Sequence, residues 1–157
     1  MHTRKPVPLL LVLLLTLSGC GFVGGDRGPE PLTPMPSQVP SGPEYVSVDD
    51  VITALGKGGF DCKVTLRNEN KFGSDATCEV QHRGTTVYNE ISVLSTSRFS
   101  RDEVGDSIAS RRSAPYQQTI VAAGNWFVRV WPADYAYDMA AALPGAVVLE
   151  PLPKQGK

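Results

Sequence analysis

Histidine is almost missing from this 157-residue chain, which has two, His2 and His82, alongside only three cysteines. Nucleophilic triads and dyads need a histidine held beside a serine or cysteine, and zinc sites need clustered ligands. With His82 the one histidine beyond the N-terminal leader, and in what reads as a hairpin turn, those arrangements lack a full set of parts. His82 is read as an exposed turn residue. Charge of one sign is lacking too: 15 basic and 16 acidic side chains are interspersed, giving a formal net charge of -1. No long-range field draws such a chain to a polyanion, so nucleic-acid binding is not expected. The adjacent pair Arg111 and Arg112 falls where a helix should end and complements its dipole there. No phosphate-cradling glycine loop is present either, because Gly56-Lys57-Gly58-Gly59 lacks the serine or threonine that follows Gly-Lys in a Walker motif and reads as a helix stop.

Nor does any apolar run approach the roughly 20 residues a helix needs to cross a bilayer. The longest, residues 7–17, follows Met-His-Thr-Arg-Lys-Pro and breaks at Ser18-Gly19, which is the pattern of a secretory leader. Leu17-Ser18-Gly19-Cys20 resembles the bacterial lipobox, in which a diacylglyceryl group is attached to the cysteine before it becomes the new N-terminus. Residues 1–19 are thus a signal peptide, and the mature chain is expected to be membrane-anchored on the extracytoplasmic face through acyl chains of the palmitate type on Cys20. Each buried methylene contributes about 0.8 kcal/mol, so two acyl chains hold where one is marginal.

Residues 20–44 carry this anchor and a stretch rich in proline and glycine, which has too few core-forming side chains to fold by itself and reads as a tether. Pro31 to Pro34 matches a Pro-x-x-Pro ligand, but in an exported chain a spacer is the preferred reading. Residues 45–153 hold one α+β domain and residues 154–157 a tail. Setting Cys20 aside leaves Cys62 and Cys78, an even pair that suits a disulfide in an oxidising compartment. No cofactor or metal is expected, since the pair lacks further ligands and the Cys-x-x-Cys spacing of redox sites.

Within the domain, three helices announce themselves by their caps. Ser47 and Asp50 open the first, with Val46 and Val51 at the positions of a hydrophobic staple; Ser100 and Glu103 open the second, with Phe99 and Val104 as its staple. The third follows Pro132 and turns Ala136, Met139, Ala140 and Leu143 inward. Between them the period is two. Cys62, Val64 and Leu66 share one apolar parity, as do Ala76, Cys78 and Val80, and as do Val87, Ile91 and Val93. A second hairpin spans 119–131 around Gly124-Asn125, and a short strand at 146–150 joins an edge. The order α-β-β-β-α-β-β-α-β predicts a single, mainly antiparallel sheet with about three helices on one face.

That arrangement leaves the other face open. If Trp126, Val128 and Val130 face the helices, then Phe127, Arg129 and Trp131 face away, and Tyr88 joins them when the hairpins are neighbours. Aromatics and arginine dominate binding hot spots, so Tyr88, Phe127, Arg129 and Trp131 form the candidate recognition patch for an envelope protein or a small ligand. Two other readings compete. Asp134 and Asp138 lie one turn apart, and Asp102, Glu103 and Asp106 cluster, as a carboxylate-dependent envelope enzyme would need; helix-dipole pairing explains them as well. A hydrolase inhibitor would instead present a protruding tip, and the turn at 82–85 would supply it.

The lipobox, proline-rich tether, paired cysteines and Gly-Asn-Trp hairpin together resemble small actinobacterial cell-envelope lipoproteins without an assigned activity. The resemblance implies anchoring at the plasma membrane, and it implies neither a ligand nor catalytic residues. Gly21, rather than an aspartate, follows Cys20, so no inner-membrane retention signal of the two-membrane bacteria is seen.

Overall fold

The computed structural model describes Val39, residues 41–113 and residues 115–152. The leader, Cys20, most of the tether and the tail 154–157 lie outside the described residues. The elements run α1 (Val48–Lys57), β1 (Lys63–Asn70), β2 (Gly73–His82), β3 (Thr85–Leu94), α2 (Arg101–Arg112), β4 (Thr119–Ala123), β5 (Trp126–Val130), α3 (Ala133–Ala142) and β6 (Val147–Leu149). The six strands form one sheet, ordered β1-β2-β3-β5-β4-β6, in which every neighbouring pair is antiparallel. This is the α+β class and the element order that the period and cap signals predict.

Local chemistry sets the helix boundaries. In α1 the Asp50 carboxylate accepts from the backbone N–H of Ser47 at 3.1 Å, and Gly58 closes the other end by donating to the Ala54 carbonyl at 3.1 Å. In α2 Glu103 accepts from the Ser100 N–H at 2.7 Å, while the Glu103 N–H donates to the Ser100 hydroxyl at 3.3 Å, a reciprocal box. The β2–β3 hairpin turns on Arg83 and Gly84, both at positive φ, 49° and 80°, as a tight two-residue turn demands.

The helices divide between the two faces. Val48, Val51 and Leu55 of α1, with Tyr135, Ala136 and Met139 of α3, pack on Cys78, Val80, Ile91, Trp126 and Val128 in the larger core. Helix α2 lies across the sheet, where Val104 and Ile108 meet Ile120 and Ala122 of β4 and Phe127 of β5. The expectation of all helices on one face is therefore corrected for α2. The cause is legible in β4: Ile120-Val121-Ala122-Ala123 is apolar on both parities and fully buried, so water must be excluded from both of its faces.

Three further expectations change. A bulge between Val64 and Leu66 reverses the parity of β1, so Leu66 pairs with Thr77 on the α2 face and is 65% exposed, while Arg67 turns to Asp49 of α1 at 2.6 Å. The α1 staple does not form, because Tyr45 packs on Trp126 at 5.8 Å and its neighbour Val46 is thrown outward. Packing also begins earlier than the proline content suggests, since Val39 is buried under α2 and the Arg101 guanidinium donates to its carbonyl. From there, residues 41–45 form a strap around the end of the sheet. The Trp126 indole donates to the Pro43 carbonyl at 3.0 Å, and Gly124, at φ 52°, leaves room for that carbonyl where a Cβ would approach to 2.4 Å.

Candidate functional site

The α2 core reaches β4, β5, Leu149 of β6 and Leu94 at the end of β3, but the outward side chains of Leu66 on β1 and Tyr88 on β3 stay exposed, so part of this face of the sheet is bare. Two depressions lie there. One, of about 350 Å³, is bordered by Leu66, Asn68, Asp75 and Arg111; the other, of about 280 Å³, by Thr86, Tyr88, Trp131 and Pro132. They share Thr77, Glu90 and Arg129, and so form one shallow groove crossing the strands.

Register explains the ridge in the middle. Glu90 of β3 and Arg129 of β5 are direct cross-strand partners, and their side chains form an ion pair between the two depressions. The Arg129 guanidinium also lies 6.0 Å from the Trp131 ring, which fixes its position from the far side. Beyond the ridge, Tyr88 and Trp131 are 61% and 76% exposed. On the near side the Ser92 hydroxyl donates to the Asp75 carboxylate at 2.6 Å, and Arg111, held by the Ser107 carbonyl and hydroxyl, stacks 4.7 Å above Phe127.

Of the four predicted patch residues the structure thus gathers three. Tyr88, Arg129 and Trp131 line the groove, whereas Phe127 is 1% exposed beneath α2 and Arg111 and serves as the groove's floor. Parity placed Phe127 on the correct face; what parity cannot see is that a helix lies over it. Sequence reasoning missed Glu90 as the partner of Arg129, and it missed Asp75, Thr77 and Arg111. Glu90 had a signal, since it stood on the outward parity with Tyr88.

Cys62 and Cys78 are joined by a disulfide, with Cα atoms 5.4 Å apart, inside the larger core. The exposed-turn reading of His82 is corrected. It ends β2 with its side chain 20% exposed, ring centroid 5.9 Å from Phe60 and 4.9 Å from Tyr135, and Nε2 sits 3.0 Å from the Asp138 carboxylate, outside hydrogen-bonding alignment. Arg83 reaches the same carboxylate at 2.7 Å, which ties the hairpin tip back to α3. Beside them Asn89 is fully buried and donates to the Tyr135 hydroxyl at 2.9 Å; burial pushes the Tyr135 hydroxyl up to about 12.

Two of the predicted carboxylates have structural partners. Asp138 is taken by Arg83, and Glu103 caps α2, where hydrogen bonds from Ser100 hold it below the usual carboxylate range. Among the described residues no cluster of three histidine, cysteine or acidic side chains is placed to hold a metal ion. No described helix is long and apolar enough to cross a membrane. No protein-family model, curated protein or solved structure matches this chain.

Proposed function

We propose that the mature protein is a lipid-anchored lipoprotein on the extracytoplasmic face of the cell membrane, acting as a non-catalytic binding module that engages an envelope partner through the bare part of its sheet. The reading of Cys20 as the anchor is carried by the leader and the Leu17-Ser18-Gly19-Cys20 motif. The Cys62–Cys78 disulfide supports an oxidising compartment.

The observation that carries the binding role is the exposure of Tyr88 and Trp131 beside the Glu90–Arg129 ridge, on a sheet surface that α2 leaves uncovered. Exposed aromatics beside a fixed charge pair give a partner both apolar area and an orienting polar feature. The test is crosslinking on the native membrane with a photoreactive side chain at Thr86, at the groove, and at Thr53 on α1. A stoichiometric adduct formed only from Thr86, and lost in Tyr88→Ala with Trp131→Ala while the circular dichroism is unchanged, is the expected result. Equal capture from both positions, or capture indifferent to the double substitution, overturns it.

A further inference from the structure

The end of the sheet at which the tether joins the domain carries its own exposed apolar side chains. Val46, beside the strap, is 94% exposed, and Phe72, in the β1–β2 turn, is 50% exposed. Backbone hydrogen bonds place both segments at the same end of the sheet. The Phe72 carbonyl accepts from the Ser95 N–H at 2.9 Å, Leu94 and Asn125 are joined through the Leu94 N–H at 2.9 Å, and Asn125 in turn holds Tyr45, the neighbour of Val46. Phe99, half-buried against the α2 core, backs Phe72 with its ring 6.1 Å away.

Nothing in the fold requires this exposure. The capping carboxylate of Asp50 accepts from the Val46 N–H at 3.0 Å and fixes the backbone, but the valine side chain touches no core cluster. A turn of this kind is ordinarily filled by polar residues. Here Phe72 stands in it, with the Lys71 ammonium 5.0 Å from its ring and exposed Arg98 nearby. Exposed Glu44, Asp50 and Glu69 more than offset those two cations, so attraction to a bilayer would come from apolar burial, with the lysine and arginine stems reaching back to headgroups.

We propose that this end, formed by Val46, Phe72, Lys71 and Arg98, is a membrane-apposition surface that seats the domain on the bilayer holding its anchor. The proposal rests in part on the lipid-anchored reading of Cys20. The length of chain argues for this occupant. Cys20 to Val39 can span at most about 60–70 Å even when fully extended, so the anchor draws the end of the domain that carries the strap towards the membrane. Tethering makes that contact effectively intramolecular, and two partly inserting side chains suffice where a free domain would need many. Seated this way, the domain turns its opposite end, with Trp131 and the Arg83–Gly84 hairpin, away from the lipid.

The experiment uses the full processed chain in vesicles of phosphatidylcholine and phosphatidylglycerol with brominated acyl chains. Phe72→Trp is compared with Tyr137→Trp, a half-exposed site toward the opposite end, and the mass of the N-terminal peptide reports acylation of Cys20 separately. The expected result is at least twofold stronger quenching and a blue-shifted emission for Phe72→Trp, both reversed by adding Val46→Ser and Lys71→Ser, with no such response from Tyr137→Trp. Equal, weak quenching at the two sites on an acylated chain overturns the surface and leaves the anchor standing. Absence of both acylation and quenching overturns both readings, while quenching without acylation sustains the surface alone. Sedimentation as a dimer that Phe72→Ser dissociates assigns this end to a second copy of the chain and overturns the proposal.

Discussion

The side-chain amide of Asn125 holds the backbone of Tyr45 on both sides, accepting from its N–H at 2.8 Å and donating to its carbonyl at 2.8 Å, across 80 residues of sequence. A third bond, to the Leu94 carbonyl at 2.7 Å, uses the remaining amide hydrogen. Replacing Asn125 with alanine should cost about 2–3 kcal/mol, because each intramolecular bond contributes about 1 kcal/mol net and the groups left behind are only partly hydrated. Urea denaturation measures the loss, and limited proteolysis should cut first between residues 41 and 46.

The groove predicts a sharp contrast between two neighbouring aromatics. Phe127→Ala empties a packed site under α2 and should destabilise the domain by about 3–5 kcal/mol, whereas Trp131→Ala, at an exposed position, should change stability by about 0.5 kcal/mol or less. Thermal melts of the two single variants check this. Only Tyr88, Arg129 and Trp131 are therefore suitable for separating partner binding from folding.

Removing the disulfide by changing Cys62 and Cys78 to alanine together should cost about 3 kcal/mol in the chain-entropy model, given that the bridge closes a loop with a sequence separation of 16. The melting temperature should fall by about 10 °C or more. Reduction of the native protein with a strong thiol reductant should produce the same shift, and the double alanine variant should be insensitive to it.

Tyr135 sets an alkaline limit. Its hydroxyl ionises near 12 in the fold, where burial is the main cause, against 10 in an unfolded chain. The folded state therefore keeps a proton that the unfolded state gives up. This contribution is intact below pH 10 and is lost as pH rises from about 10 towards 12. Denaturation midpoints followed across that interval should decline more steeply for the native chain than for Tyr135→Phe.

How far the sequence speaks depends on how local the deciding interaction is. Helix starts at Ser100 and Pro132 and the alternation of β3 and β5 were readable because caps and pleats act over a few residues. The disulfide followed from counting cysteines. The position of α2 was missed because it depends on the two-sided apolarity of β4, a strand read only as half of a hairpin. The bulge in β1 leaves almost no trace in Val64-Thr65-Leu66, since every residue there suits a strand. Likewise, no local pattern relates Tyr45 to Asn125 or Glu90 to Arg129. The outward parity named three of the groove residues, and the helix lying over the fourth was invisible to it.

The bond between Tyr45 and Asn125 also bears on timing. Whether it leaves the ribosome or an export channel, the strap emerges well before the β4–β5 turn that receives it, and closing a loop of that length is entropically slow. The segment that opens the domain is thus among the last to lock. A chain truncated before Asn125 should leave residues 41–46 open to protease, whatever else has formed, and the strap's protection becomes a marker that the β4–β5 hairpin is in place.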